Sequence, residues 1–173
     1  GNFGTVSYDG AGAQSLTSGG ITFYNLSTST ASTDLTIQDA LIVSNNLTIG
    51  ASTTLDAGSN QTISVGRNWD NGNGGTFTSA SGTVTFNGSG AQTVTTGGTG
   101  TGNDFNNVTI TNSGTLADGS DVETSGAIKV NGTLDITDGQ FMPEANSDFV
   151  NVTLSSSNGK LKQAGIGTIT VSG

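Results

Sequence analysis

The sequence predicts an all-β fold, a single-stranded parallel β-helix (β-solenoid) of about nine coils at roughly 19 residues each. Three observations predict it: short runs in which β-branched residues alternate with polar ones, Gly, Asn or Asp at the ends of those runs, and a long internal repeat. Runs such as Gly82-Thr83-Val84-Thr85-Phe86 and Val108-Thr109-Ile110 have the two-residue period of a strand with one buried face. No window of helical length carries an apolar stripe at 3.6-residue spacing, and Gly or Asn recurs too often for a long helix. One Pro and 10% charged residues set the chain apart from disordered sequences, which are rich in both.

At 173 residues the chain has the length of one domain, and we read a single solenoid over 1–173 with an internal duplication, approximately 4–66 and 82–173. GTVSYDGAGAQSLTSGG (Gly4 to Gly20) matches GTVTFNGSGAQTVTTGG (Gly82 to Gly98) at an offset of 78 residues. After a short insertion around Thr99 to Gly102, Phe23 to Ser27 corresponds to Phe105 to Thr109. Asp34 to Ile49 then aligns with Asp121 to Ile136, so that Leu35, Leu41, Val43, Leu47 and Ile49 fall on Val122, Ile128, Val130, Leu134 and Ile136. Thr62 to Val65 resembles Thr168 to Val171 at an offset larger by roughly 19 residues, the length of one added coil.

A finer spacing lies inside the copies. Leu35/Ile37, Leu41/Val43 and Leu47/Ile49 recur every six residues, as two inward side chains per short strand on successive faces of a coil require. Asn45-Asn46, Asp118-Gly119 and Asn131-Gly132 are suited to the corners, where left-handed backbone is needed. Stacked coils explain how 31% hydrophobic residues suffice, since each coil is covered by the next, and nine of them would make a rod about 40 Å long. The rival β reading is a sandwich of antiparallel hairpins.

Thirteen acids against four bases give a net charge of −9. That balance argues against nucleic acid, which needs clustered Lys and Arg, and against anionic lipid. No apolar run reaches membrane-spanning length, so no membrane insertion is expected. There is no Cys from which to read a redox compartment; the acidic, Lys-poor, Thr/Ser/Asn/Gly-rich composition points to an extracellular or cell-surface location.

Catalysis has little to work with. The chain contains neither His nor Cys, which removes the commonest general base, nucleophile and zinc ligands. Clustered carboxylates are the remaining route, and the nearest pairs, Asp118 with Asp121, Asp135 with Asp138 and Glu144 with Asp148, read more simply as solvated corners. We therefore expect no enzyme, no catalytic residue, no cofactor and no metal site. GGTGTGNDF (Gly97 to Phe105) is a single glycine-and-aspartate stretch, where calcium-binding β-rolls need several in succession, so a surface loop is the plainer reading. Thr-x-Thr triplets at Thr83 to Thr85, Thr93 to Thr95 and Thr168 to Thr170 read as outward residues of alternating strands, and as an ice-binding array only if they lie on consecutive coils of one face. Asn-x-Ser/Thr sequons start at Asn25, Asn46, Asn60, Asn87, Asn107, Asn131 and Asn151, a pattern that corner Asn residues generate unaided. Trp69, the lone Trp, is the candidate glycan contact, set against the plainer role of packing between coils.

NWDNGNGGTFTSASGTVTFNGSGAQTVTTGG (Asn68 to Gly98), followed by DFNNVTI (Asp104 to Ile110) and SGAIKVNGTLDI (Ser125 to Ile136), resembles the repeats of very large secreted and cell-surface, adhesin-like proteins of bacteria. The resemblance covers nearly the whole chain, twice, and departs from the pattern over Phe141 to Lys162. It implies a right-handed β-helix and carries little information about activity.

A β-solenoid exposes unpaired strand edges that pair with another copy unless capped. The C-terminal TITVSG followed by the N-terminal GNFGTVSYDG almost restores the repeat. The expected function is that of a structural, extracellular filament or surface-fibre subunit whose partner is itself, head to tail, with Phe3, Val6, Ile169 and Val171 as the candidate assembly interface. The alternative is a rigid stalk or adhesin fragment of a large cell-surface protein, with glycans or cell surfaces as partners.

Overall fold

The computed structural model describes residues 3–29, 31–114, 122–144, 146–162 and 170–171. The chain passes through three sheets in turn, one coil per circuit. The first four coils carry a strand on each face: β1 (Thr5–Tyr8), β2 (Gly12–Leu16) and β3 (Thr22–Phe23); β4 (Asn25–Thr28), β5 (Thr33–Ile37) and β6 (Leu41–Val43); β7 (Leu47–Ile49), β8 (Thr54–Asp56) and β9 (Ile63–Val65); β10 (Trp69–Asp70), β11 (Thr76–Thr78) and β12 (Thr83–Phe86). The later coils carry β13 (Gln92–Thr95) and β14 (Asn107–Thr111), β15 (Val122–Ser125) and β16 (Lys129–Asp138), β17 (Gln140–Met142) and β18 (Asp148–Thr153), then β19 (Lys160–Leu161) and β20 (Thr170–Val171). Face one stacks β1-β4-β7-β10-β13-β15-β17-β19, face two β2-β5-β8-β11, and face three β3-β6-β9-β12-β14-β16-β18-β20. Among the described residues every ladder is parallel and there is no helix. The fold is a parallel β-solenoid, and the antiparallel sandwich is excluded.

The six-residue spacing of Leu35/Ile37, Leu41/Val43 and Leu47/Ile49 marks β5, β6 and β7, one on each face. All six side chains are buried. The expectation of nine coils is corrected to about seven. Paired residues on face one lie 20, 21 and 22 positions apart at the start (Thr5 with Asn25, Leu26 with Leu47, Leu47 with Trp69). They lie 25 and 30 apart in the middle (Trp69 with Val94, Val94 with Thr124) and return to 19 and 20 at the end (Val122 with Phe141, Phe141 with Leu161). The middle coils are longer because polar corner segments, Gly97 to Asp104 among them, add length without adding a strand.

Face two does not stop at β11. The Phe77 amide donates to the Gly102 carbonyl at 2.6 Å, and Phe105 then bridges Val130 in parallel. β16 and β18 therefore bend around a corner. Their first residues (Lys129 with Asp148, Val130 with Phe149) continue the Phe105 ladder, and their later ones (Leu134 with Val152) continue β14, with a register shift between Val130 and Thr133 at the bend. β20 pairs only with the first part, Thr170 with Asp148 and Val171 with Phe149.

The duplication keeps its pairings and changes its faces. Val6 with Leu26 becomes Val84 with Val108, Gln14 with Leu35 becomes Gln92 with Val122, and Phe23 with Val43 becomes Phe105 with Val130. Yet β1 lies on face one and its counterpart β12 on face three; β2 lies on face two and β13 on face one. Eleven strands precede β12, and with three faces per coil that is not a whole number of turns. The second copy is thus rotated about the axis by one face. The extra rung read from the sequence is Phe149, which lies between Val130 and Val171 where Val43 pairs directly with Val65.

The core is a continuous apolar column. At mid-height Trp69, Phe77 and Phe86, one from each face, meet Phe105, with Trp69 4.7 Å from Phe77 and 5.2 Å from Phe105 between ring centroids. The Trp69 glycan contact is corrected accordingly: the indole is 1% exposed and its faces are taken by phenylalanines. Close stacking also fixes corner glycines. A Cβ on Gly66 would strike the Ser44 carbonyl oxygen one coil away, and a Cβ on Gly88 would lie 2.6 Å from that of Gly66. Trp69→Ala should lower unfolding free energy by about 3–5 kcal/mol through the cavity it leaves. Urea titration checks this, and a loss below about 1 kcal/mol, typical of surface positions, would contradict the aromatic plug.

Candidate assembly interface

Inside the stack each coil is held by the next through side chains as well as ladders. Asn25 Oδ1 accepts from the Asn46 amide at 3.1 Å, Asn46 Oδ1 from the Asn68 amide at 3.2 Å, and Asn68 Oδ1 from the Thr93 amide at 3.0 Å. Asn107 repeats the arrangement with the Thr133 amide at 2.9 Å. Each of these Asn residues directly precedes an inward apolar residue (Leu26, Leu47, Trp69, Val108), a signal that was present in the sequence and that we did not use. The sequon asparagines Asn25, Asn46 and Asn107 are therefore engaged in the ladder.

Gln92 shows what a fully covered position looks like. Its Nε2 donates to the carbonyls of Val65 at 2.9 Å and Arg67 at 2.7 Å in the preceding coil, and its Oε1 accepts from the Gly88 amide and from Asn112 of the following coil. Its counterpart Gln14, in the first coil, has a buried Oε1 with no hydrogen-bond partner.

The first coil presents the open edge of the stack. Val6 is 43% exposed although Leu26, Leu47, Trp69 and Val94, which follow it in the same register column, are at most 2% exposed. Phe3 is exposed and rests edge-on against Tyr24, and Ile21 is exposed nearby. Tyr8 is half-buried at this edge, where desolvation raises its phenol pKa, while its counterpart Phe86 is fully buried. At the other edge β20 covers only the start of β18; Val152 is half-buried and Leu154 exposed. Val171 is placed by its backbone pairing with Phe149, and Ile169 lies outside the described residues. The structure thus puts Phe3 and Val6 together at one edge and Val171 at the opposite one.

The remaining candidates resolve into local structure. Asp104 Oδ1 accepts from the Gly100 amide at 2.7 Å, closing the glycine-rich loop, and its Oδ2 lies 3.7 Å from Lys129 Nζ. No group of three or more acidic side chains able to hold a metal occurs among the described residues. Thr83 to Thr85 and Thr93 to Thr95 lie on different faces, so they do not form one array. Asp118, Asp121 and Thr168 lie outside the described residues. No helix among the described residues is long and apolar enough to cross a membrane. Comparison with protein-family models, with curated proteins and with solved structures gives no match to this chain.

One carboxylate clips the first coil to the second. Asp39 accepts from the Ser18 amide at 2.7 Å and the Gly19 amide at 2.8 Å. The Ser18 amide foremost, with that of Gly19, holds its carboxyl below the ordinary 3.8, against opposing desolvation. A lowered native value stabilises the fold above the ordinary carboxylate value, and the stabilisation is lost as pH falls through the lowered one. Exchange protection of the Ser18 and Gly19 amides should therefore hold above pH 3.8 and drop below it, and Asp39→Ala should abolish the step. Protection that does not change with acid in the unmodified chain would disprove the clip.

Proposed function

We propose that this chain is a structural protein that acts outside the cell as a filament subunit, its coil stack continuing from one copy into the next. The observation that carries this reading is the Val6 column, apolar from Val6 through Leu26, Leu47 and Trp69 to Val94, buried from Leu26 on and exposed at Val6. A parallel edge with free amides, free carbonyls and an inward apolar row is completed by another coil of the same kind. Opposite edges of the molecule would meet, so the contact is heterologous and propagates into a fibre. On this reading the partner is a second copy, and the protein requires no catalytic residue or cofactor. The acidic, Lys-poor composition and the resemblance to bacterial surface repeats support the extracellular location.

A second reading, a rigid segment of a longer cell-surface protein, is favoured by the duplication, since β12 stacks on β9 within one chain as β1 would on a preceding coil. Both readings make length by axial stacking and differ in what covers β1.

Electron microscopy of the purified, untagged chain separates them. Filaments with an axial repeat near the length of one coil stack, about 35 Å, are expected, and Val6→Asp should leave the circular-dichroism spectrum unchanged while abolishing them. Dispersed rods from the unmodified chain would overturn the filament and favour the stalk.

A further inference from the structure

The duplication contains one junction of the kind a filament needs. β12, the counterpart of β1, stacks on β9 in the register Val84 with Ile63, Thr85 with Ser64 and Phe86 with Val65. By sequence, Thr62 to Val65 has its own counterpart in Thr168 to Val171. The strand that underlies β12 within the chain is thus repeated at the opposite edge of the molecule, with no strand of the same chain on its far side among the described residues.

We infer that successive copies join as β9 joins β12, with β1 of one copy on β20 of the previous copy, Ser7 opposite Thr170 and Tyr8 opposite Val171. This rests on the filament reading and adds the register and the rotation. β20 continues the ladder of Phe105, Val130 and Phe149, which prolongs face two, whereas β1 opens face one. Each copy is therefore turned by one face, about a third of a turn, relative to the copy before it, in the sense opposite to the turn between the two halves of the chain, because two turns of a third make the same setting as one in reverse.

Gln14 supports this independently. Its counterpart Gln92 donates to the carbonyls of Val65 and Arg67, whose counterparts at the same offset are Val171 and Gly173. A copy seated in this register brings the Val171 carbonyl to the Gln14 Nε2, as the Val65 carbonyl meets the Nε2 of Gln92. Seating β1 on β19 instead would continue face one without rotation and would place Thr5 opposite Lys162, where the register column from Thr5 through Asn25, Thr93, Glu123 and Met142 arrives.

The chain has no Cys, so engineered pairs report the register without background. Parallel neighbours lie about 4.8 Å apart, within disulfide reach. Ser7→Cys with Thr170→Cys should give an oligomer ladder on mild oxidation of assembled protein, resolved to monomer by reductant. Thr5→Cys with Lys162→Cys should remain monomeric on denaturing gels. Gln14→Leu should raise the concentration needed for assembly about tenfold, the effect of losing one or two buried hydrogen bonds. A ladder from the Thr5/Lys162 pair, or filaments that neither pair cross-links, would overturn the rotated register and leave the filament standing. Absence of filaments from the unmodified chain would overturn both.

Discussion

Like stacks on like in this molecule, and the rest of the structure depends on that constraint. A strand of three or four residues buries one or two side chains, too few to fold alone, and only an in-register parallel neighbour on each side makes the burial complete. Leu26, Leu47 and Trp69 are sealed because each is covered by the member of the next coil. The same condition governs polar groups. Asn46 and Gln92 are useful inside the stack because the adjoining coil presents a backbone group at the right height, and Gln14 lacks a partner for its buried oxygen. Stability is therefore a nearest-neighbour property, and the edges are where it is incomplete.

What the sequence made legible follows from this constraint. Periodic apolar pairs and their recurrence identify strands and faces, and the extra rung of the second copy could be read from one enlarged offset. Coil length was not legible in the same way. A corner such as Gly97 to Asp104 has no apolar residue to mark it, so a coil length of about 19 residues, read from the one enlarged offset, understated the middle of the rod. For Trp69 a glycan contact and packing between coils were both open readings, its sequence neighbours being polar. Those neighbours are the ladder itself: Asn68 faces the next coil and thereby turns the residue after it inward.

The rotation of the second copy was hidden for a different reason. A repeat in sequence preserves pairings between adjacent coils, and pairings are indifferent to which face they fall on. Val84 on Val108 is the same contact as Val6 on Leu26, even though the two lie on different sides of the rod. The unit that was duplicated is thus a set of coil-to-coil contacts whose length need not match the turn of the solenoid. The intervening strands β10 and β11 bring in the aromatic residues Trp69 and Phe77, whose bulk fills the wider coils at mid-height.

The coil length of 20 residues between Thr5 and Asn25 has a mechanical consequence. Folded, such a coil adds about 4.8 Å to the rod; peeled from the end and drawn out, it supplies about 66 Å of chain. Tension applied along the axis can therefore be relieved one coil at a time, each release lengthening the tether more than tenfold locally while the coils beneath keep their ladders. An object built this way yields in small steps from its ends and re-forms by the same steps, because every newly exposed coil is itself a template.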